Sequence, residues 1–391
     1  MQSSPLAAHA PLSGRDMLCF SHDWNGDPLS KTHLMRLLAR NNRILWVNSI
    51  GYRMPTACKS DARRAVAKLA AAMEPIREVE KNIFVISPLV IPAYGKPSIR
   101  SLNRHLLRFQ VKRAMSKLGF SNPINWVFNP AASMIAGTLG EQRLIYYCVD
   151  EYTAFSGVPV KSLLDMEEQL ARRADLVIVS ADRLHCSKAA LNPNTHLVRH
   201  GVDFDHFAKA LEPSRVIPAD IAQLKKPIIG YFGLIAADWV DVPLLAEVAR
   251  NFPDASLVML GKCTMDVSAL RQSPNIHLLG RKAYEALPGY AKAFDVALIP
   301  FPINEATLNS NPLKAREYLA AGLPVVSTAI PEVEVLGQCR IGTDAPSFCR
   351  QIREALAEPG PSRARSETMR TESWAARLLE VEAHVASLDG M

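Results

Sequence analysis

Nowhere in the 391 residues does an apolar run reach the roughly 18 residues that a membrane-spanning helix needs. Residues 1–14 have no basic stretch followed by an apolar core, so they read as a disordered tail and not as a signal peptide. Seven cysteines (Cys19, Cys58, Cys148, Cys186, Cys263, Cys339 and Cys349) are odd in number, scattered, and without a Cys-x-x-Cys pair. That spacing argues against a zinc ribbon or a disulfide framework and suits a reducing compartment. No Gly-x-Gly-x-x-Gly opens either half of the chain, which leaves a dinucleotide-dependent oxidoreductase the weakest enzyme class. No clear metal site stands out, so neither a metal nor another cofactor is expected.

What is present fits a globular α/β protein. Apolar residues make up 48% and charged residues 21%, and the length allows two domains with full cores. Charge is uneven: residues 1–205 hold 26 Lys+Arg against 17 Asp+Glu, +9, while the remainder holds 19 against 21, −2. The first half is therefore the half expected to meet something anionic. Its strands fall at 17–21, 43–47, 82–87, 124–128, 143–149 and 175–180, with helical periodicity between them, and a second alternation starts at Pro227. This order predicts parallel sheets with helices on both faces. Helix 99–118 carries Arg100, Arg104, Arg108, Lys112, Arg113 and Lys117 with no acid, beside apolar stripes through Leu102, Leu106 and Phe109 and through Leu107, Val111, Met115 and Leu118. It reads either as a core helix with a solvated basic face or as a surface that docks on an anionic membrane.

The chain is organised around residues 310–328, Ser-Asn-Pro-Leu-Lys-Ala-Arg-Glu-Tyr-Leu-Ala-Ala-Gly-Leu-Pro-Val-Val-Ser-Thr. Asn311 is a favoured N-cap and Pro312 suits the first helical position, so a helix is expected to start there. The early N–H groups, those of Leu313 and Lys314, lack intrahelical partners and meet the positive end of the dipole, a site suited to a phosphate or diphosphate. Lys314 adds full charge. Glu317 shares its face and can hold two vicinal hydroxyls of a ribose. Gly322 stops the helix and Pro324 prevents its continuation. A strand before it (295–300) and one after it (from Val325) complete a strand–loop–helix–strand unit, whose ligands bind at the carboxyl ends of the strands.

Pro312-x-Lys314-x-x-Glu317-Tyr318-Leu-Ala-x-Gly322-x-Pro324-Val-Val resembles the nucleotide-sugar site of GT-B glycosyltransferases of the bacterial family-4 kind. Lys-x-x-Glu-Tyr is also similar to the xanthan glucuronosyltransferase. The resemblance implies that Glu317 holds the donor ribose and Lys314 the donor phosphate. The first glutamate of the related E-x7-E motif is replaced by Asn309. After Gly233, which opens the loop, Leu234 to Val242 resembles the family's Gly-x-x-x-x-Asp-Trp-x-Asp stretch at Asp238-Trp239-Val240-Asp241, without the arginine and lysine usual there, which moves the phosphate role onto Lys314 and the helix start. Gly280-Arg281-Lys282 is similar to the segment that meets the nucleobase. Tyr146-Tyr-Cys-Val-Asp150 looks like the strand whose terminal aspartate is the base of the xanthan enzyme. Asp150 is preferred to Glu151, either of which would otherwise read as a turn cap. Arg199 to Asp203 reads as the close of the first half, and its His200-Gly-Val-Asp203 resembles a recurrent GT-B signature at the crossing into the second domain. The loop 22–30, with His22 and Asp23, would face the acceptor.

The expected fold is GT-B: two Rossmann-like domains facing a cleft, residues 15–205 for the acceptor and 227–365 for the donor. A linker is expected over 206–226, and a last helix (366–391) packing back on the first domain. The expected function is a hexosyltransferase moving a sugar from a nucleotide-diphosphate sugar, a UDP-sugar first, to a saccharide or lipid-linked saccharide of an envelope glycan or exopolysaccharide. The expected location is the cytoplasm, peripheral at the inner face of the plasma membrane, with no nucleic acid as partner. Family-4 relatives retain the anomeric configuration whereas an Asp150 base suits inversion, so the stereochemistry stays open. A GT-B epimerase and a non-catalytic nucleotide-sugar-binding regulator are the alternatives.

Overall fold

Short β-branched and aromatic runs form the strands, and their alternate side chains serve two cores. In β1 (Asp16–Phe20), β2 (Arg43–Val47) and β5 (Ile124–Val127), Leu18, Phe20, Leu45 and Val127 join one buried cluster, while Cys19, Trp46 and Trp126 join the other. A sheet buried on both faces has to carry helices on both, and it does. Leu107 and Val111 of the helix Pro97–Leu118 pack on the first face. Leu34 and Leu38 of the helix Ser30–Leu38 pack on the second.

The structure, a computed structural model, describes residues 12–50, 70, 74–91 and 96–388. It divides into two units, Met1–Arg199 with Leu378–Met391, and His200–Arg377. The first unit holds an eight-stranded sheet in the order β3-β4-β2-β1-β5-β6-β7-β8, completed by β3 (Arg77–Glu80), β4 (Ile83–Ile86), β6 (Arg143–Cys148), β7 (Leu176–Val179) and β8 (Thr195–Leu197). All its neighbours run parallel except β3, which is antiparallel to β4. The second unit holds a wholly parallel six-stranded sheet, order β11-β10-β9-β12-β13-β14. Its strands are β9 (Ile228–Phe232), β10 (Ser256–Leu260), β11 (Ile276–Gly280), β12 (Val296–Ile299), β13 (Val325–Thr328) and β14 (Arg340–Gly342). Strand order reverses between β1 and β5 in one sheet and between β9 and β12 in the other, and ligands of such sheets bind beyond the strand ends at those points.

Four expectations change. Residues 206–226 are no linker: Phe207, Ala210 and Ile221 are buried in the second unit's core. His200–Asp203 does not close the first half but opens the second unit. Of the tail, residues 1–11 lie outside the described residues, but Leu12 N–H donates to Glu382 and Gly14 N–H to the Asn41 carbonyl. In the basic helix Leu107, Val111 and Met115 are buried, together with Asn103 and Ala114, while Leu102 and Phe109 of the other stripe stand 50% and 63% exposed. The last helix, Trp374–Ser387, begins in the second unit and ends in the first, where Val381, Val385 and Leu388 are buried. Among the described residues no helix is long and apolar enough to cross a membrane, and the six described cysteines are free thiols; Cys58 lies outside them.

Candidate functional site

In the second unit the strand ends converge on one lysine. Gly233 follows β9 with φ +149, and a Cβ built there would lie 2.0 Å from Lys314 Cε and 2.8 Å from its Nζ. The lysine therefore lies against a backbone that only glycine leaves open. Its ammonium stands 5.9 Å from the Tyr231 ring centroid and 5.7 Å from that of Phe301, an aromatic floor that favours a cation. Burial lowers the Lys314 pKa, and Glu317 partly restores it. Burial pushes the Glu317 carboxyl up to about 7, against the pull of Lys314 and with a further push from Asp203. These two groups form no ion pair with each other within salt-bridge distance. They are a cation and an acid on one helix face, left open to something else.

The helix that carries them, Leu313–Ala320, is held at both ends. Tyr318 Oη accepts from Phe232 N–H at 2.8 Å and so locks the helix to the end of β9. Gly322 N–H donates to Leu319 O and Leu323 N–H to Tyr318 O, with Gly322 at φ 82, the left-handed stop read from the sequence. The start differs from expectation. Pro312, not Asn311, is the cap residue, and no side chain caps the helix. Asn311 is buried, accepts from Arg316 Nη1 at 2.8 Å and donates to Glu332 at 3.4 Å. Arg316, only 2% exposed, is also paired with Glu372 at 3.1 Å. A hydrogen bond to a buried charge is worth about 1.5–3 kcal/mol against about 1 for a cap, so the guanidinium wins the amide. The first N–H groups, Leu313 and Lys314 among them, remain without an intrahelical acceptor.

His200-Gly-Val-Asp203 positions this helix start. His200 Nδ1 lies 2.8 Å from the Asn311 carbonyl. Val202 N–H donates to Glu372 O, and Trp374 N–H donates back to Val202 O. A Cβ on Gly201 would sit 2.7 Å from Trp374 N, so the close crossing needs glycine. Asp203 caps the following turn through His206 N–H. Asp241 likewise caps the helix Val242–Asn251 through Leu244 N–H at 2.9 Å, and Trp239 packs on Phe301. Asn309 donates to Glu305 O.

Arg281 lies beyond β11, on the rim of a cavity of about 600 Å³ lined by Ile235, Gly261, Lys262, Asp266, Ser268 and Arg281 among others. A Cβ on Gly261 would lie 1.7 Å from Gly233 O, which places this cavity beside the lysine along the same strand ends. Lys282, by contrast, is tied to Asp220 at 2.6 Å.

In the first unit Asp150 ends β6. Burial raises its pKa to about 6, with Lys31 pulling down and Glu151 pushing up. Glu151 is occupied: it accepts from Thr153 N–H and meets Lys188 at 3.3 Å, and Lys188 also meets Glu167 at 3.0 Å. The Asp150 carboxylate has no such partner within hydrogen-bond distance among the described residues. His22 is held by Ser21 Oγ at 3.1 Å and lies edge-on to Trp46, and burial first, then Lys31, lowers its pKa to about 3, so it is neutral. Asp23 is turned to the backbone, accepting from Ser49 N–H. Lys31, whose own pKa burial lowers against Asp150 and Cys19, is the residue the sequence did not reveal. A single lysine opening a helix carries no motif, and only the strand order brings it into the field of Asp150.

Residues 226–358 match the family described as Glycosyl transferases group 1. The Bacillus subtilis (strain 168) protein TuaH, which carries the name of a teichuronic acid biosynthesis glycosyltransferase, is 26% identical over 277 residues, 64% of this chain and 68% of TuaH. The sucrose-phosphate synthase of Thermosynechococcus elongatus superposes with a TM-score of 0.68 at 17% identity, covering 96% of this chain and 99% of that one. HepE of Anabaena, solved with UDP and with UDP-glucose, superposes at 0.59 and 13% identity over 96% of this chain and 97% of its own. These likenesses carry the GT-B fold.

Proposed function

We propose that the chain, which has the GT-B fold and whose residues 226–358 match the glycosyl transferases group 1, transfers a sugar from a UDP-sugar to a saccharide or lipid-linked saccharide acceptor of an envelope polysaccharide. The observation that carries the reading is Lys314 lying over Gly233 at the start of a helix, with Glu317 one turn on and neither engaged by an ion pair. In this reading the diphosphate lies on the first N–H groups of Leu313–Ala320, and Lys314 neutralises the charge that grows on it as the glycosidic bond breaks. Glu317 holds the ribose hydroxyls. The cavity beside Arg281 takes the base. Asp150 takes the proton of the acceptor hydroxyl, a role suited to its raised pKa of about 6. The TuaH likeness supports an envelope glycan as product.

The deciding experiment is calorimetric binding of UDP and transfer assays on K314M and E317A. The expected result is weaker UDP binding in both, and a fall in kcat/KM for K314M of about 10² or more. Unchanged UDP affinity in both variants rejects the site, and release of an altered free sugar without any acceptor assigns an epimerase instead. Peripheral membrane attachment through the basic helix Pro97–Leu118, with Leu102 and Phe109 outward, belongs to the same reading. Co-sedimentation with anionic vesicles should weaken with salt; equal binding to neutral vesicles speaks against it.

A further inference from the structure

A second cavity, of about 310 Å³, lies in the first unit between the start of the helix Pro97–Leu118, the 3-10 turn Pro130–Met134 and the helix Val160–Arg173. Its polar lining is Arg100, Ser101, Arg104, Ser133, Asp165 and Gln169. Arg100 and Arg104 are one helical turn apart and share a face, and neither is ion-paired among the described residues. Behind them Arg173 donates to Ser133 O at 2.6 Å and to Ala136 O at 3.2 Å. Burial and then the like charge of Arg104 lower the Arg173 pKa, against Glu141. Two guanidinium groups thus line a cavity whose single carboxylate, Asp165, pairs with neither of them, and a third, that of Arg173, lies behind Ser133. Ser133 is only 3% exposed, yet lines the cavity, and its hydroxyl has no hydrogen-bond partner among the described residues. The cavity is at the small end of ligand sites.

We propose that this cavity binds a phosphate ester of a sugar or polyol, with Arg100 and Arg104 on the phosphate and Asp165 and Gln169 on neighbouring hydroxyls. Forked guanidinium donors match phosphate oxygens, and the amino end of a 22-residue helix adds its dipole. The 3-10 turn follows β5, on the side of the sheet's order reversal where ligands bind. Resting on the function proposed above, the cavity holds the phosphorylated part of the acceptor, which is then either a soluble sugar phosphate or the headgroup of a lipid.

The test uses the full chain, in wild type and with K314M so that the helix start in the second unit does not contribute. Glucose 1-phosphate is titrated by calorimetry, and vesicles containing phosphatidylinositol are compared with vesicles of equal charge containing phosphatidylserine. The variants are R100Q/R104Q and, as a match for lost charge on the same helix, R113Q/K117Q. All four residues are solvent-accessible, and thermal melts check that the fold is kept. If the cavity takes a soluble ester, R100Q/R104Q weakens glucose 1-phosphate about tenfold or more, R113Q/K117Q changes it less than about twofold, and S133A costs about threefold. If it takes a lipid headgroup, R100Q/R104Q alone abolishes the preference for phosphatidylinositol. Equal effects of the two double variants on every probe, or no saturable binding by either, overturn the proposal. UDP affinity separates it from the donor reading: R100Q/R104Q should keep it and K314M should lose it. K314M keeping UDP sinks the donor site and leaves the cavity standing.

Discussion

The donor-binding role proposed for Glu317 comes with a cost in stability. Its carboxyl ionises near 4.5 in an unfolded chain and near 7 when folded, because burial disfavours the charge. The folded state therefore holds a proton that the unfolded state has lost between those values. Stability falls as pH rises from about 4.5 through about 7 and stays lower above. E317Q removes the titration, so its melting temperature should exceed that of the wild type at about pH 8 and match it near pH 4, a stability–function trade of the kind that marks sites. On the role proposed for Glu317, donor binding has the opposite slope. The charged carboxylate accepts ribose hydroxyls best, so affinity for UDP-glucose should rise through about pH 7. It should fall again at alkaline pH, earlier than for an ordinary lysine, as the depressed Lys314 loses its proton. Calorimetry across pH checks this. An acid limb that survives in E317Q assigns it to another group.

At the scale of elements, the site depends on backbones packed too closely for side chains. Gly233→Ala places a methyl 2.0 Å from Lys314 Cε. The far end of a lysine can swing away, so the fold should survive with a loss of about 1–3 kcal/mol. The lysine should then leave its place over the strand end, and UDP affinity should fall about tenfold or more while Tyr318 still locks the helix. An alanine variant that binds UDP as the wild type does would show that the lysine's position is immaterial. These elements differ in how far the sequence exposes them. The helix Leu313–Ala320 was legible because its stop, its lysine and its glutamate fall within a few residues, where propensity and dipole decide. Its start is not legible there, because Asn311 answers to Arg316 and Glu332, and the second of these is 21 residues away. Residues 206–226 looked like a linker because their prolines and charges hide three well-spaced core residues, Phe207, Ala210 and Ile221. The strand β14 has three residues, too few for alternation to register. His200 read as part of a signature, but its contact with the Asn311 carbonyl spans 111 positions and is visible only in the fold.

At the scale of the whole molecule, the last helix is shared by chain connection: it starts at Trp374 in the second unit, and from Leu378 onward its residues belong to the first. Val381 and Val385 fill the face of the first sheet that also holds Trp46, Trp126 and Leu34, and Arg143 donates to the Leu388 carbonyl at 2.9 Å. Each unit has its own core, so damage to one core need not reach the other. Val381→Asp buries a charge with no partner, a change that costs about 3–5 kcal/mol when a buried charge is left unpaired. Scanning calorimetry should then resolve an early transition for the first unit, with a second transition near its original temperature. Transfer should fall with the first unit, while UDP binding, which the reading above assigns to residues 200–377, should persist between the two transitions. The strands of the first unit should become open to proteolysis while those of the second stay protected. A single transition that carries UDP binding down with it would mean that the donor half does not stand without the first core, and that the last helix couples the stability of both.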